Sequence, residues 1–310
     1  MRILLAEQQH ACYARLLAEA APDLDIVGGD DIAELAGQAG QCAIWLGQPD
    51  LLAGLLRRCP APAWMQSTWA GITPLLAEGL PRDYRLTRAV GVFGQVMAEY
   101  MLTYLLAHER RLLERLASQG ECVWNDRPGG TLQGRTVLIV GVGEIGQRVA
   151  EFLAPFGVSL LGIASSARAQ PPFAEVATLA QLPNLVERAD HVLNLLPNTP
   201  ATHDLYDAAL LGRFKPGALF INAGRGVSVV DADLVEALQA GRLGGAVLDV
   251  CREEPLPAEH PFWATPGLLL TGHSAAPTSP IGMTRLFLDN LDAYQANAPM
   301  QGTVDFQRGY

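Results

Sequence analysis

The sequence is poor in paired cysteines, in long apolar runs and in positive charge, and each shortage removes a class of protein. Five cysteines stand at Cys12, Cys42, Cys59, Cys122 and Cys251, an odd number without a C-x-x-C pair. That pattern argues against a disulfide framework or a zinc site and fits a reduced, cytoplasmic setting. No apolar run approaches the ~20 residues of a membrane helix. The N-terminal MRILLAEQQH has one basic residue and a very short apolar run, so it reads as a buried first strand rather than a secretory signal. Lysine and arginine total 22 against 32 aspartates and glutamates, a net charge of −10. A chain this acidic is a poor partner for nucleic acid or an anionic membrane, although a local basic pocket can still take a small anion. Solenoid repeats and low-complexity tracts are also absent.

What is present is a regular alternation. The 310 residues suffice for two domains, and 49% are hydrophobic, near the usual globular value. RILLA (2–6), LDIVGG (24–29), CAIWLG (42–47) and AWMQST (63–68) read as strands separated by helical or turn residues. A second series follows at RTVLIVG (135–141), VSLLGIA (158–164), HVLNLL (191–196), ALFINAG (218–224), GAVLDV (245–250) and LLLTG (268–272). Strands alternating with helices imply parallel sheets covered on both faces. The expected fold is α/β, with two doubly wound parallel-sheet domains. Residues 1–95 with 285–310 are expected to form one domain and 96–284 the other. Residues 92–118, free of proline and rich in Leu, Glu and Arg, predict one long helix, and 280–298 a closing helix.

TVLIVGVGEIGQRVAEFL places a G-x-G-x-x-G motif, Gly141, Gly143 and Gly146, between a strand and a helix that starts near Ile145. The first glycine permits a tight turn, the second lets a pyrophosphate reach the backbone, and the third lets helix and strand pack closely. Phosphates then meet the free N–H groups and partial positive charge of the helix start, near Glu144 and Ile145. The motif therefore predicts dinucleotide binding. An Asp or Glu about 20 residues beyond the first glycine would grip the ribose hydroxyls of NAD. At that place the chain has SSAR: Ser165 lies 24 positions beyond Gly141, followed by Ser166 and Arg168. Hydroxyls and a guanidinium welcome a 2′-phosphate that an acid would repel. The expected cofactor is NADP(H) in preference to NAD(H). The plainer alternative is a polar loop, with NAD held elsewhere.

Six histidines are candidates for acid–base chemistry. Five of them, His10, His108, His191, His203 and His260, fall on apparent helices, strand starts or variable loops. His273 instead directly follows a strand, in TGHSAAPTSP, and chemistry in parallel sheets gathers at the strands' carboxyl ends. Two other strands end nearby in kind: ALFINAG runs into Arg225, and GAVLDV runs into CREEPLP with Glu253 and Glu254. A cation, a carboxylate and a histidine in three consecutive strand-end loops can converge on one cleft.

GVGEIG, FKPGALFINAGRG, GAVLDVCREEPLP and TGHSAA together resemble the D-isomer-specific 2-hydroxyacid dehydrogenase family, in its order and spacing, from about residue 90 to 298. NAGRGVSVVD has one more residue before its acid than the family's commoner form, and with Trp45 in AIWLG it resembles the glyoxylate/hydroxypyruvate reductase branch. The resemblance implies a flavodoxin-like substrate domain beside a Rossmann dinucleotide-binding domain. It implies catalytic Arg225, Glu254 and His273, with Glu254 preferred to Glu253 because it immediately precedes Pro255. It also implies that Asp249 contacts the nicotinamide carboxamide, and that Leu196, Pro197 and the Ala223–Gly224–Arg225 turn lie along the cofactor. Ala70, Gly71 and Ile72 in WAGITPLL match the loop whose amides hold the substrate carboxylate, and Trp45 is either a wall of the substrate pocket or a core tryptophan on its strand. Two departures stand out: Thr73 replaces the loop's usual Asp, and Gly272 replaces the proline usually before the histidine. The activity implied is reduction of a small 2-oxo acid by hydride transfer, in a homodimer. The alternative is a dinucleotide-sensing regulatory protein on the same fold without turnover.

Overall fold

The computed structural model describes residues 1–307. The chain divides into two compact units, Met1–Val92 with the chain from Thr278 onward, and Phe93–Pro277.

The first unit carries β1 (Arg2–Ala6), α1 (His10–Ala20), β2 (Asp25–Gly29), α2 (Ile32–Ala39), β3 (Ile44–Gly47), α3 (Pro49–Leu56), β4 (Trp64–Ser67) and β5 (Arg85–Thr87). Its five strands are all parallel, in the order β2-β1-β3-β4-β5, which is the flavodoxin-like order. Local chemistry sets the helix starts. Asp31 caps α2 by accepting from the amides of Ala33 and Glu34, and Pro49 occupies the first turn of α3, where a missing N–H costs nothing. Leu4, Ala6, Trp45 and Met65 anchor one buried cluster of this unit.

The second unit carries α4 (Gly94–Glu109), α5 (Leu112–Gly120), β6 (Thr136–Val140), α6 (Glu144–Leu153), β7 (Ser159–Ala164), β8 (Glu175–Thr178), α7 (Leu182–Val186), β9 (His191–Asn194), α8 (Ala208–Leu211), β10 (Ala218–Asn222), α9 (Asp231–Gln239), β11 (Leu243–Leu248) and β12 (Leu268–Leu270). The seven strands run β12-β11-β10-β9-β6-β7-β8, all parallel. Counted from β6, this is the Rossmann order with one strand added beyond β11. Both faces are covered, so the strands are apolar on both sides. In β6, Leu138 and Val140 point into one core, and Val137 and Ile139 into the other. The strand order reverses between β6 and β9, and ligands of such sheets bind outside the carboxyl ends at that point. The chain from Thr278 returns to the first unit with α10 (Pro280–Gln295), which Ser279 caps through the Gly282 amide.

Three sequence expectations need correction. The expected limits at 95/96 and 284/285 fall inside α4 and α10, because each helix packs as one piece. Met97, Ala98, Met101 and Leu105 of α4 lie in the core of the second unit. Nor is 92–118 one helix. Arg111 adopts a left-handed φ of 54° and separates α4 from α5. The fixed point is Glu109, a buried side chain paired with Arg135 at 2.9 Å and with His191 at 3.0 Å. Its own carbonyl takes the Gly130 amide. Trp45, finally, is fully buried, with its indole N–H donated to the Cys42 carbonyl. It packs in the core of the first unit. Among the described residues no helix is long and apolar enough to cross a membrane.

Candidate active site

Three loops leave the carboxyl ends of β10, β11 and β12. The loop after β10 is held by buried amides. Asn194 donates to the side-chain oxygen of Asn222 at 2.9 Å and to the Ser228 hydroxyl at 3.0 Å. Asn222 and Ser228 both donate to the Arg225 carbonyl, at 3.2 and 2.7 Å, and the Gly224 amide donates to Asn222. This polar knot fixes the backbone that presents Arg225, whose guanidinium donates to the Gly224 carbonyl.

The loop after β11 turns Glu254 back on itself. One carboxylate oxygen accepts from the Cys251 amide at 2.8 Å, and the other meets His273 Nδ1 at 2.7 Å. With Nδ1 as donor to Glu254, the ring leaves Nε2 without a protein partner among the described residues. Both side chains are half-buried. The hydrogen bond that the imidazole donates to Glu254 raises it above its ordinary pKa. Burial opposes this, the negative charges of Glu254 and Asp249 add to it, and Arg225 works against it. Burial pushes the Glu254 carboxyl upward, but the His273 bond, the Cys251 amide and the charges of His273 and Arg225 outweigh it, so its pKa falls.

The loop after β12 carries His273 in an unusual backbone. Gly272 and His273 have φ of 63° and 56°. Proline is locked near −65°, so the glycine that replaces the family's proline permits a turn proline could not make. Asp249, which follows β11, grips this loop. One carboxylate oxygen accepts from the Thr271 hydroxyl at 2.7 Å and from the amides of Ser274 and Ala275 at 2.8 and 3.0 Å. The Asp249 carbonyl takes the His273 amide at 2.6 Å.

The glycine loop passes a test of fit for a dinucleotide. A Cβ on Gly146 would stand 2.2 Å from the Gly141 carbonyl oxygen, so strand and helix are in backbone contact there. A Cβ on Gly143 would meet nothing within 4 Å, so this glycine faces open space. The amides of Gly143, Ile145 and Gly146 donate to no acceptor among the described residues, and Glu144 opens the helix beside them. Across the switch point, a Cβ on Gly141 would touch Leu195, so the Leu196–Pro197 segment abuts the glycine turn. Ser165 and Ser166 are exposed at the end of β7. Arg168 folds back over the glycine loop, donating to the Val142 carbonyl at 3.1 Å, to Ser166 and to Gln170.

A model described as D-isomer specific 2-hydroxyacid dehydrogenase, NAD binding domain, matches residues 102–275, more than half of the chain. The chain belongs to the D-isomer specific 2-hydroxyacid dehydrogenase family. As a member it is an oxidoreductase with a nicotinamide dinucleotide site. Among its relatives, glyoxylate/hydroxypyruvate reductase A of Klebsiella pneumoniae is 36% identical over 248 residues, covering 78% of this chain and 80% of that one. A crystal structure of a family member from Aeromonas salmonicida is 37% identical, with a TM-score of 0.93 over 98% of this chain and 99% of its own. An NADPH-dependent glyoxylate/hydroxypyruvate reductase from Sinorhizobium meliloti, solved with NADP and sulfate, is 28% identical with a TM-score of 0.87, covering 100% and 99%.

Within this family fold, Arg225, Glu254, His273 and Asp249 occupy neighbouring strand-end loops of one unit. The Ala70–Gly71–Ile72 loop lies in the other unit. Among the described residues its three amides donate to no protein acceptor. Sequence reasoning missed the polar knot of Asn194, Asn222 and Ser228. Its signal was present, since asparagine is depleted in strands and two occur at strand ends here.

Proposed function

We propose that the protein reduces a small 2-oxo acid, of glyoxylate or hydroxypyruvate type, to the D-2-hydroxy acid, with NADPH preferred to NADH. The His273–Glu254 contact beside Arg225 carries this reading. A bound dinucleotide, held by the Gly141–Gly146 loop, Leu196, Pro197, the Ala223–Gly224 turn and Asp249, supplies the hydride that reduces the carbonyl carbon. Arg225 binds the substrate carboxylate and polarises the carbonyl oxygen, which gains negative charge as the reaction proceeds. His273, as imidazolium, gives the Nε2 proton to that oxygen. Glu254 keeps the ring oriented and protonated.

Arg168, folded against Val142 with Ser165 and Ser166 beside it, supports the NADPH preference, as no carboxylate stands there to repel a 2′-phosphate. Several relatives were solved with NADP or NADPH. A homodimer is proposed through α4 and α5, where Leu106, Leu112, Leu113 and Leu116 are exposed, with Trp124, four residues beyond α5, 91% exposed. Five free cysteines suit a cytoplasmic setting.

The test follows loss of reduced-nicotinamide absorbance with glyoxylate and hydroxypyruvate, comparing NADPH with NADH. Fast turnover with NADPH is expected, and His273→Ala should lower it by roughly 10²- to 10⁴-fold while NADPH still binds. Near-normal turnover in that variant would refute the assignment of the acid.

A further inference from the structure

The loop that carries His273 is tied to a residue outside every motif. Tyr100, on α4, places its hydroxyl 2.9 Å from the Thr271 hydroxyl. The direction of this bond is fixed by the next one. Thr271 has one hydroxyl proton and gives it to the Asp249 carboxylate at 2.7 Å, so Tyr100 donates and Thr271 accepts. Burial holds the Tyr100 phenol above its ordinary pKa, so it remains a donor throughout the working range. The edge of Tyr104 packs on the Tyr100 ring, with centroids 4.8 Å apart, and fixes its tilt.

We propose that Tyr100 is a positioning residue for His273, acting through Thr271 and Asp249. This rests on the proposed role of His273 as the acid. Asp249 holds the loop from both sides of the histidine, by its carbonyl at the His273 amide and by one carboxylate oxygen at the Ser274 and Ala275 amides. That same oxygen is anchored by Thr271, and Thr271 by α4. Ser274 closes the turn by donating to the Thr271 carbonyl at 2.6 Å. The loop needs such ties. His273 sits at a left-handed φ that non-glycine residues disfavour, and it stays there only while its surroundings insist. Losing the Tyr100 hydroxyl frees Thr271 to rotate, slackens the Asp249 grip and lets the imidazole drift from Glu254. The charged and titratable groups around the ring are Glu254 after β11, Asp249 at the end of β11, Arg225 after β10, and the phenols of Tyr100 and Tyr104 facing Asp249 from α4.

The test is Tyr100→Phe, which removes one oxygen and keeps the ring, assayed as the full chain with NADPH and glyoxylate. A drop in kcat of about 3- to 10-fold is expected, the cost of one hydrogen bond. KM and NADPH affinity should hold, and the alkaline limb of the kcat profile should move to lower pH as the Glu254 contact weakens. Thr271→Val should reproduce this, Thr271→Ser should restore it, and Tyr100→Phe combined with Thr271→Val should be no worse than Thr271→Val alone. Wild-type kcat and pH limb in Tyr100→Phe, with His273→Ala inactive, overturns this inference and spares the proposed function. A fall in melting temperature without either kinetic change shows a merely structural role and overturns it equally. Normal turnover by His273→Ala overturns both.

Discussion

Gly143 and Gly146 stand three residues apart in one motif, yet alanine should do opposite things at the two. At Gly146 the added Cβ would lie 2.2 Å from the Gly141 carbonyl oxygen and 3.3 Å from Ile139 Cγ2. That is roughly 1 Å short of ordinary contact, and the obstacle is backbone that cannot rotate away. Overpacking of this kind costs about 1–3 kcal/mol. In a unit of this size each kcal/mol moves the melting temperature by about 2–4 °C, so Gly146→Ala should melt roughly 2–12 °C lower. At Gly143 the backbone has φ −91° and the space is empty. Gly143→Ala should therefore melt like the wild type. Its methyl would instead occupy the approach of a pyrophosphate, at a similar cost of about 1–3 kcal/mol, so NADPH should bind about 5- to 150-fold weaker. Scanning calorimetry and a fluorescence titration with NADPH separate the two effects. If Gly143→Ala binds NADPH as tightly as the wild type, the phosphates do not pass over this glycine and the assignment of the loop is wrong.

Three other outcomes follow from the same geometry. Glu254→Gln removes the charge that raises the His273 pKa, so kcat/KM for reduction should fall further at pH 8 than at pH 6; a parallel pH profile in the variant would contradict the pairing. Arg168→Ala should weaken NADPH by about 10-fold, the scale of one charge-assisted contact, and leave NADH unchanged; equal losses for both cofactors would show that Arg168 does not read the 2′-phosphate. Burial holds the His191 pKa down at about 4, with Glu109 opposing it. The unfolded chain therefore binds the proton first, and stability should decline as pH falls from about 6.5 toward 4, by on the order of 3 kcal/mol. Urea titrations of wild type and His191→Gln should show the decline flattened in the variant, and an unchanged slope would exclude His191 as its source.

The sheets were legible because their strands are buried on both faces and read as short apolar runs. β5 and β8 were not. RLT has three residues with a charged first member, and EVAT is framed by polar residues. Both lie at sheet edges, where burial demands less of the sequence. The break at Arg111 was hidden for another reason. No glycine or proline marks it, because its cause is tertiary: Glu109 pairs with residues 26 and 82 positions further along the chain. Trp45 was open to two readings on sequence, pocket wall or core, since an indole on a strand suits either until its neighbours are known. The residue types of Arg225, Glu254 and His273 were readable from their strand ends. The network that aims them was not, because Asn194, Ser228, Thr271 and Tyr100 belong to four separate segments and meet only in the fold.

The His273–Glu254 contact explains why such a network is worth its cost. The pair is half-exposed, so solvent screens it and little stability comes from it. Its effect on protonation is more specific. His273 is raised, so its share of the interaction is fully present below the ordinary imidazole pKa and is lost as pH rises through the raised value. Glu254 is lowered, so its share is present above the ordinary carboxylate pKa and is lost as pH falls through the lowered one. Between those limits the histidine holds its proton and the carboxylate stays ionised, which is the state a proton donor needs. A solvated pair would drift in and out of that geometry. Here the left-handed turn at His273 prevents it, because the Asp249 grip leaves the imidazole few places to go. The buried polar groups behind the loops thus contribute through orientation, and the exposed contact they orient sets the proton's affinity.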